Sequence, residues 1–165
     1  DDIRVRKSME VPADFHPRKT DTVKTYEYRI DCEEFADPLK TRYAYFTYVP
    51  LDASKMQEAA FHLIGTHDFK SFCSVNTTAT TTVRTIFDIQ VIRDGVDIIV
   101  RVTGNGFLYN MVRIIVGTLT DVGRGKYESS KVKDILEACD RTCAGPTVPA
   151  CGLMLKELRF LELEH

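Results

Sequence analysis

An α+β fold, with a mainly antiparallel β-sheet and helices packed on one face, is predicted for this 165-residue chain by three features of its sequence. The first is a hairpin: residues 83–91 and 97–102 are rich in β-branched residues and flank Asp94-Gly95. The second is a long helical pattern, in which Leu108, Met111, Val112, Ile115, Leu119 and Val122 recur at spacings of three and four until Gly123 and Gly125 stop it. The third is a pair of strand patterns far apart in the chain, at residues 23–30 and 153–160.

From the beginning, Ile3-Arg4-Val5-Arg6 alternates as a strand does, and Val11-Pro12-Ala13-Asp14-Phe15-His16-Pro17 reads as a turn-rich connection. The strand at 23–30 puts Tyr26, Tyr28 and Ile30 on one face and polar side chains on the other. Residues 43–49 form another strand candidate. Leu51-Asp52 then opens a helix through Met56, Ala59, Ala60, Leu63 and Ile64, with Asp52 as its N-cap and Gly65 as its stop. A Thr-rich linker at 77–82 leads to the hairpin, and Gly104-Asn105-Gly106-Phe107 is a tight turn into the long helix. Ser129 or Ser130 caps a further helix through Val132, Ile135, Leu136 and Cys139. Residues 1–162 are expected to form one domain. Leu163-Glu164-His165 looks like the remnant of an expression tag and is left out of fold reasoning.

The length and a hydrophobic content of 44% suffice for one ordinary core. No apolar run is long enough to span a bilayer and the first residues lack a signal-peptide layout, so a soluble, cytoplasmic protein is expected. The five cysteines, Cys32, Cys73, Cys139, Cys143 and Cys151, are scattered without a C-x-x-C pair, which points to reduced thiols and no zinc site. A net charge of −2 gives no sign of a polyanion partner, although a near-neutral total can hide a segregated surface. Arg4, Arg6, Lys7, Arg18, Lys19, Lys24 and Arg29 fall early in the chain, interleaved with acids. Hydrolase elbows, phosphate loops and dinucleotide fingerprints do not occur.

Three places carry candidate chemistry. Arg113 sits in Met111-Val112-Arg113-Ile114-Ile115-Val116, where nearly every direction around the helix is apolar. Either it snorkels at the core edge, or its guanidinium faces a carboxylate with a functional role. Tyr26 and Tyr28 share a strand face near Lys24 and Arg29, an arrangement that serves as a stacking platform for a nucleobase or as ordinary core and cross-strand packing. His62, His67 and Asp68 suggest an acid–base pair or metal ligands, as in an unrelated hydrolase, but their spacing matches no zinc motif and Asp68 equally suits a local turn.

Read in order, these segments resemble the tRNA pseudouridine synthase A family over nearly the whole chain. Asp2-Ile3-Arg4-Val5 with Val11-Pro12-Ala13-Asp14-Phe15-His16-Pro17-Arg18 resembles the stretch after that family's catalytic-aspartate loop, and Lys24-Thr25-Tyr26-Glu27-Tyr28 resembles its tyrosine motif. Gly65-Thr66-His67-Asp68-Phe69-Lys70-Ser71-Phe72 and Val83-Arg84-Thr85-Ile86 follow in family order. The most specific match is Asn105-Gly106-Phe107-Leu108-Tyr109-Asn110-Met111-Val112-Arg113-Ile114-Ile115-Val116-Gly117, backed by Asp140-Arg141 and Gly152-Leu153-Met154-Leu155.

The resemblance implies an isomerase that converts uridine to pseudouridine in the anticodon arm of tRNA, without metal or organic cofactor, and that flips its target base out of the stack. By position, Tyr26 matches the family's stacking tyrosine and Arg113 the arginine that pairs with the catalytic aspartate. Phe107 and Leu153 match apolar residues near the pocket, and Asp68, Phe72, Arg84 and Arg141 match further substrate or RNA-binding positions. Asn110 and Met154 depart from the pattern, standing where a histidine and an aromatic are frequent. The family's Gly-Arg-Thr-Asp-type nucleophile motif is absent from the sequence. The expectation is therefore a C-terminal domain, inactive alone, whose partners are the N-terminal half carrying the aspartate, a second subunit in a homodimer, and the tRNA anticodon stem-loop. A non-catalytic RNA-binding module of the same fold is the competing reading.

Overall fold

The computed structural model describes residues 3–17, 19–75 and 77–161. Asp2, Arg18, the 162/163 boundary and Leu163-Glu164-His165 lie outside the described residues. The described residues form a six-stranded mixed sheet with three α-helices, the α+β class expected.

The organising strand is β1 (Thr22–Asp31), and both of its edges are used. One edge pairs antiparallel with β5 (Asp97–Gly104), placing Tyr26 opposite Val102 and Tyr28 opposite Val100. β5 returns through the turn Gly95-Val96 to β4 (Val83–Asp94), with Asp94 paired to Asp97. Gly95 takes φ 60°, which a residue without Cβ reaches at no steric cost, so Asp94-Gly95 marks the hairpin correctly. β3 (Gly65–Asp68) extends the outer edge of β4. The other edge of β1 pairs antiparallel with β6 (Leu153–Phe160) through its residues 22–28.

Three expectations need correction. Ile3-Arg4-Val5-Arg6 is not a strand: Ile3 and Val5 are 88% and 85% exposed and no described strand offers that segment an edge. The strand expected over 43–49 shrinks to β2 (Tyr45–Phe46), parallel to β1 at Ile30 and Asp31, because β6 already occupies the rest of that edge. Gly65 does not simply stop a helix; it opens β3 with φ 113°, a strand too short and too polar to announce itself.

On the face carrying Tyr28, Ile30, Val100 and Val102, three helices close the core: α1 (Ala53–Phe61), α2 (Met111–Gly123) and α3 (Lys131–Ala138). The Asp52 carboxylate caps α1 by accepting from Ser54 N and Lys55 N at 2.9 and 3.1 Å. The Asp52 N–H donates in turn to Gly123 O at 2.9 Å, tying the start of α1 to the end of α2. In α2 every residue is buried except Arg113. Its buried hydroxyls are satisfied within the helix, Thr118 Oγ1 donating to Ile114 O and Thr120 Oγ1 to Val116 O.

The opposite face holds a charged cluster. Glu27 is fully buried there, with Arg101 Nε at 2.8 Å, Lys156 Nζ at 3.1 Å and Arg29 Nε at 3.4 Å from its carboxylate. Burial pushes this carboxyl up, but hydrogen bonds and charge from Arg101 and Lys156 outweigh it and leave the group below the ordinary glutamate value.

A strap, residues 144–149, crosses α2 where the helix has least bulk. Gly145 N donates to Thr118 Oγ1 at 2.9 Å, and a Cβ on Gly117 would fall inside the Pro146 carbonyl. Neither backbone can yield easily, since one is a buried helix and the other is fixed at both ends. Gly117→Ala should therefore destabilise the chain by about 1–3 kcal/mol through overpacking. Urea unfolding would read this as a lowered midpoint at an unchanged slope; a loss below about 0.5 kcal/mol would mean that the strap is not held against the helix.

Candidate active site

Four of the residues singled out from the sequence meet in one groove of about 250 Å³: Tyr26, Phe107, Arg113 and Leu153. Each arrives on a different element. Tyr26 stands on β1, on the same face as Tyr28, and its ring meets that of Phe107 edge-on at a centroid distance of 5.2 Å. Phe107 follows the turn after β5, a turn that passes close enough to β4 for a Cβ on Gly104 to meet Thr85 O at 2.6 Å. Leu153 begins β6 opposite Tyr28.

Arg113 is the only outlet of α2 to the surface, and its guanidinium is held by neutral acceptors. Nε donates to Val148 O of the strap at 2.7 Å, and Nη1 donates to Asn110 Oδ1 at 2.9 Å. Among the described residues no carboxylate comes within 4.0 Å of it. The sequence demanded a partner for this charge; the structure supplies carbonyl dipoles and no counter-ion, so the cation keeps its capacity to attract an anion into the groove.

Asn110, noted in the sequence only as a departure from the family pattern, is a positioning residue. It precedes α2 with φ 61°, a left-handed conformation that asparagine tolerates better than most residues. That backbone choice starts the helix at Met111 rather than at Leu108 and aims the side-chain amide in two directions, Oδ1 to Arg113 and Nδ2 to Ser74 Oγ at 2.9 Å. The available signal was its place three residues before Arg113, one helical turn away.

The remaining candidates lie elsewhere. Asp68 is exposed at the end of β3 and its Oδ1 accepts from Lys70 N at 3.0 Å, a local turn contact. Phe72 is fully buried and packs in the core against Phe69. Arg84 folds back onto its own strand, Nη1 donating to Thr81 O at 3.0 Å and to Val83 O at 2.6 Å, with Gly106 packed beside it. Arg141 braces the strap through Ala144 O and Thr147 Oγ1. His62, His67 and Asp68 line one shallow depression, where His67 Nε2 is engaged with Ile64 O at 2.9 Å. Among the described residues no cluster of three or more His, Cys, Asp or Glu side chains is placed to hold a metal.

Comparison with known proteins gives a consistent picture. A family model described as tRNA pseudouridine synthase matches residues 59–161. The chain is 49% identical over 160 residues to tRNA pseudouridine synthase A of Brevibacillus brevis, covering 97% of this chain and 66% of that protein. It is 47% identical over 153 residues to the protein of the same name from Halalkalibacterium halodurans, covering 93% of this chain and 58% of that protein. For the Bacillus subtilis protein the identity is 46% over 155 residues, covering 94% and 63%. The chain thus spans 58 to 66% of the length of these three relatives.

Tyr28, paired with Leu153 across β1 and β6, is fully buried and donates to Pro149 O at 2.6 Å. Burial pushes its phenol well above the usual range; the Cys151 thiol adds to this and Arg113 opposes it. Because the folded state holds this proton more tightly, the stabilisation is complete below the unfolded value of about 10 and is lost as pH rises beyond it. Tyr28→Phe should cost about 1 kcal/mol at neutral pH and flatten the fall in urea stability above about pH 10. In a 295 nm titration of the parent chain, one of its seven tyrosines should ionise only on unfolding. Seven phenols titrating together in the folded chain would refute the assignment.

Proposed function

The chain belongs to the tRNA pseudouridine synthase family, and from that premise we propose that it forms the part of such an enzyme that holds the target uridine, while the nucleophilic aspartate comes from polypeptide outside this sequence. The observation that carries the reading is the convergence of the Tyr26 ring with an Arg113 guanidinium that, among the described residues, is held by Asn110 and Val148 O. A carboxylate entering the groove would meet a ready cation, and a base entering it would meet an aromatic face.

The reaction so assigned is an isomerisation of uridine in the anticodon arm of tRNA. The aspartate attacks the nucleoside, the C1′–N1 glycosidic bond breaks, the uracil turns, a C1′–C5 bond forms, and the bond to the aspartate breaks so that the carboxylate is released. The proton on C5 is lost and N1 gains one, so the product has the composition of the substrate and no metal or organic cofactor is consumed. A base that leaves its stack loses stacking energy, and Tyr26 returns part of it, about 1–3 kcal/mol for a single aromatic. Arg113 holds the aspartate ionised and oriented in bidentate geometry. Leu153 and Phe107 exclude water around the ring. Under this proposal the complete enzyme acts in the cytoplasm as a homodimer. No helix among the described residues is long and apolar enough to cross a membrane.

Tritium release from tRNA labelled at uridine C5 tests this directly. The 165-residue chain alone should release none; adding the separately produced preceding half of a relative should restore release. Tyr26→Ala in the restored enzyme should weaken tRNA binding roughly 5- to 150-fold, the equivalent of one lost stacking contact. Arg113→Met should lower turnover far more than binding. A joined protein that carries the aspartate motif and still releases no tritium would leave only the non-catalytic RNA-binding reading.

A further inference from the structure

Beside the Tyr26 groove lies a second depression, of about 520 Å³ against about 250 Å³, with Lys70 and Arg141 on its walls. Ser74, Thr77 and Thr82 supply hydroxyls between these two cations. By resemblance Arg141 matches a substrate or RNA-binding position, but the reaction assigned above gives the depression no ligand. A saddle formed by Thr77, Thr78 and Ala79 connects the two, sharing Thr77 with the larger depression and Phe107, Leu108 and Tyr109 with the groove. A continuous track therefore runs from an aromatic, cationic end past a hydroxyl-lined threshold to a second cationic end.

The charges along this track differ from those on the far side of the sheet. There Arg29, Arg101 and Lys156 all pair with Glu27. Among the described residues, by contrast, neither Lys70 nor Arg141 lies within 4.0 Å of a carboxylate. Asp140 stands on the same wall, with one oxygen engaged by Thr142 N at 2.8 Å. The wall is also wired to the groove: Ser74 N donates to Tyr109 O at 3.2 Å, and Ser74 Oγ accepts from Asn110, which orients Arg113.

We propose that the Lys70–Arg141 depression binds a backbone phosphate of the single-stranded RNA flanking the base held at Tyr26. Hydrogen bonds from Thr142 and, after them, the Lys70 ammonium hold the Asp140 carboxyl below its ordinary value, but Lys70 forms no ion pair with it, and Arg141 bonds only to neutral acceptors among the described residues. Two such cations with hydroxyls in the same lining suit a phosphodiester, and Phe107 and Tyr109 along the way suit nucleotides rather than a peptide. The site rests on the functional reading above and extends it from the flipped base to its neighbour in the strand.

Fluorescence anisotropy of the 165-residue chain with a fluorescein-labelled oligouridine, repeated across salt concentrations, tests it. Each phosphate neutralised on a single strand contributes about 0.7 to the slope of log affinity against log salt. Lys70→Gln, a change at an exposed side chain that should leave folding intact, should lower that slope by about 0.7, and Lys70→Arg should restore it. Tyr26→Ala should weaken binding without altering the slope. A methylphosphonate linkage next to the target uridine should make the parent chain and Lys70→Gln alike. An unchanged slope in Lys70→Gln beside weakened binding in Tyr26→Ala would overturn the phosphate site and leave the base site standing; no effect from either would overturn both. Inorganic phosphate competing as well as the oligonucleotide at matched ionic strength would assign the depression to free anions and likewise refute the proposal.

Discussion

Everything at the groove depends on the close passage of the 144–149 strap across α2. Gly117 leaves room for the Pro146 carbonyl, and Thr118 accepts the Gly145 amide. Two carbonyls further along the same strap are then presented in succession, Val148 O to Arg113 and Pro149 O to Tyr28. One backbone segment thus fixes the helix that carries the cation, the cation itself, and the strand tyrosine beneath it. Gly152 completes the fit, because a Cβ there would come within 2.6 Å of Arg29 O and 2.8 Å of the Tyr28 ring. A strap one ångström further out would lose these acceptors together, since they belong to consecutive peptide units.

The same structure shows why a net charge of −2 is uninformative about ligands. Acidic groups are spent on structural partners: Glu27 on Arg101 and Lys156, Asp121 on Lys126, and Asp97 on Lys40. Arg113, Arg141, Arg84 and Lys70 make no such pairs among the described residues; the three arginines bond to carbonyls, an amide or a hydroxyl. Hydrogen bonds to neutral acceptors orient a guanidinium without cancelling its charge, so the field around these groups survives the balanced total.

Where local pattern and burial agree, the fold was legible in the sequence. The hairpin was marked by a glycine whose φ its turn requires, α2 by an unbroken apolar surround, and β6 by its boundaries. Legibility failed where partners decide. Ile3-Arg4-Val5-Arg6 alternates correctly but meets no edge, while β2 and β3 exist only because β1 and β4 have edge positions to offer. At the site, an arginine in an apolar helix was a true anomaly and led to the groove. Phe72 carried no local sign that its ring would be fully buried, and Arg141 none that it would bond to Ala144 O and Thr147 Oγ1. Asn110 stood out only as a departure from the family pattern, because its role lies in a backbone conformation, φ 61°, that leaves no periodic trace.

That asparagine also sets how firmness is distributed around the groove. Its carbonyl side holds Arg113 to a buried helix and a locked strap, so the cation is preorganised for an incoming carboxylate. Its amide side reaches Ser74, beyond which the chain runs into the Thr-rich segment, where Ala79 N and Val83 N bond to the hydroxyls of Thr77 and Thr81 rather than to the core. Such local bonds cost little to rearrange, because each is made within two residues and is replaced readily by water or by a ligand oxygen. A rigid cation beside an adaptable hydroxyl-bearing rim is the division of labour that capturing a flexible strand around one fixed base requires. It arises here because a single left-handed residue joins a helix buried everywhere but at Arg113 to the wall that leads into the Thr-rich segment.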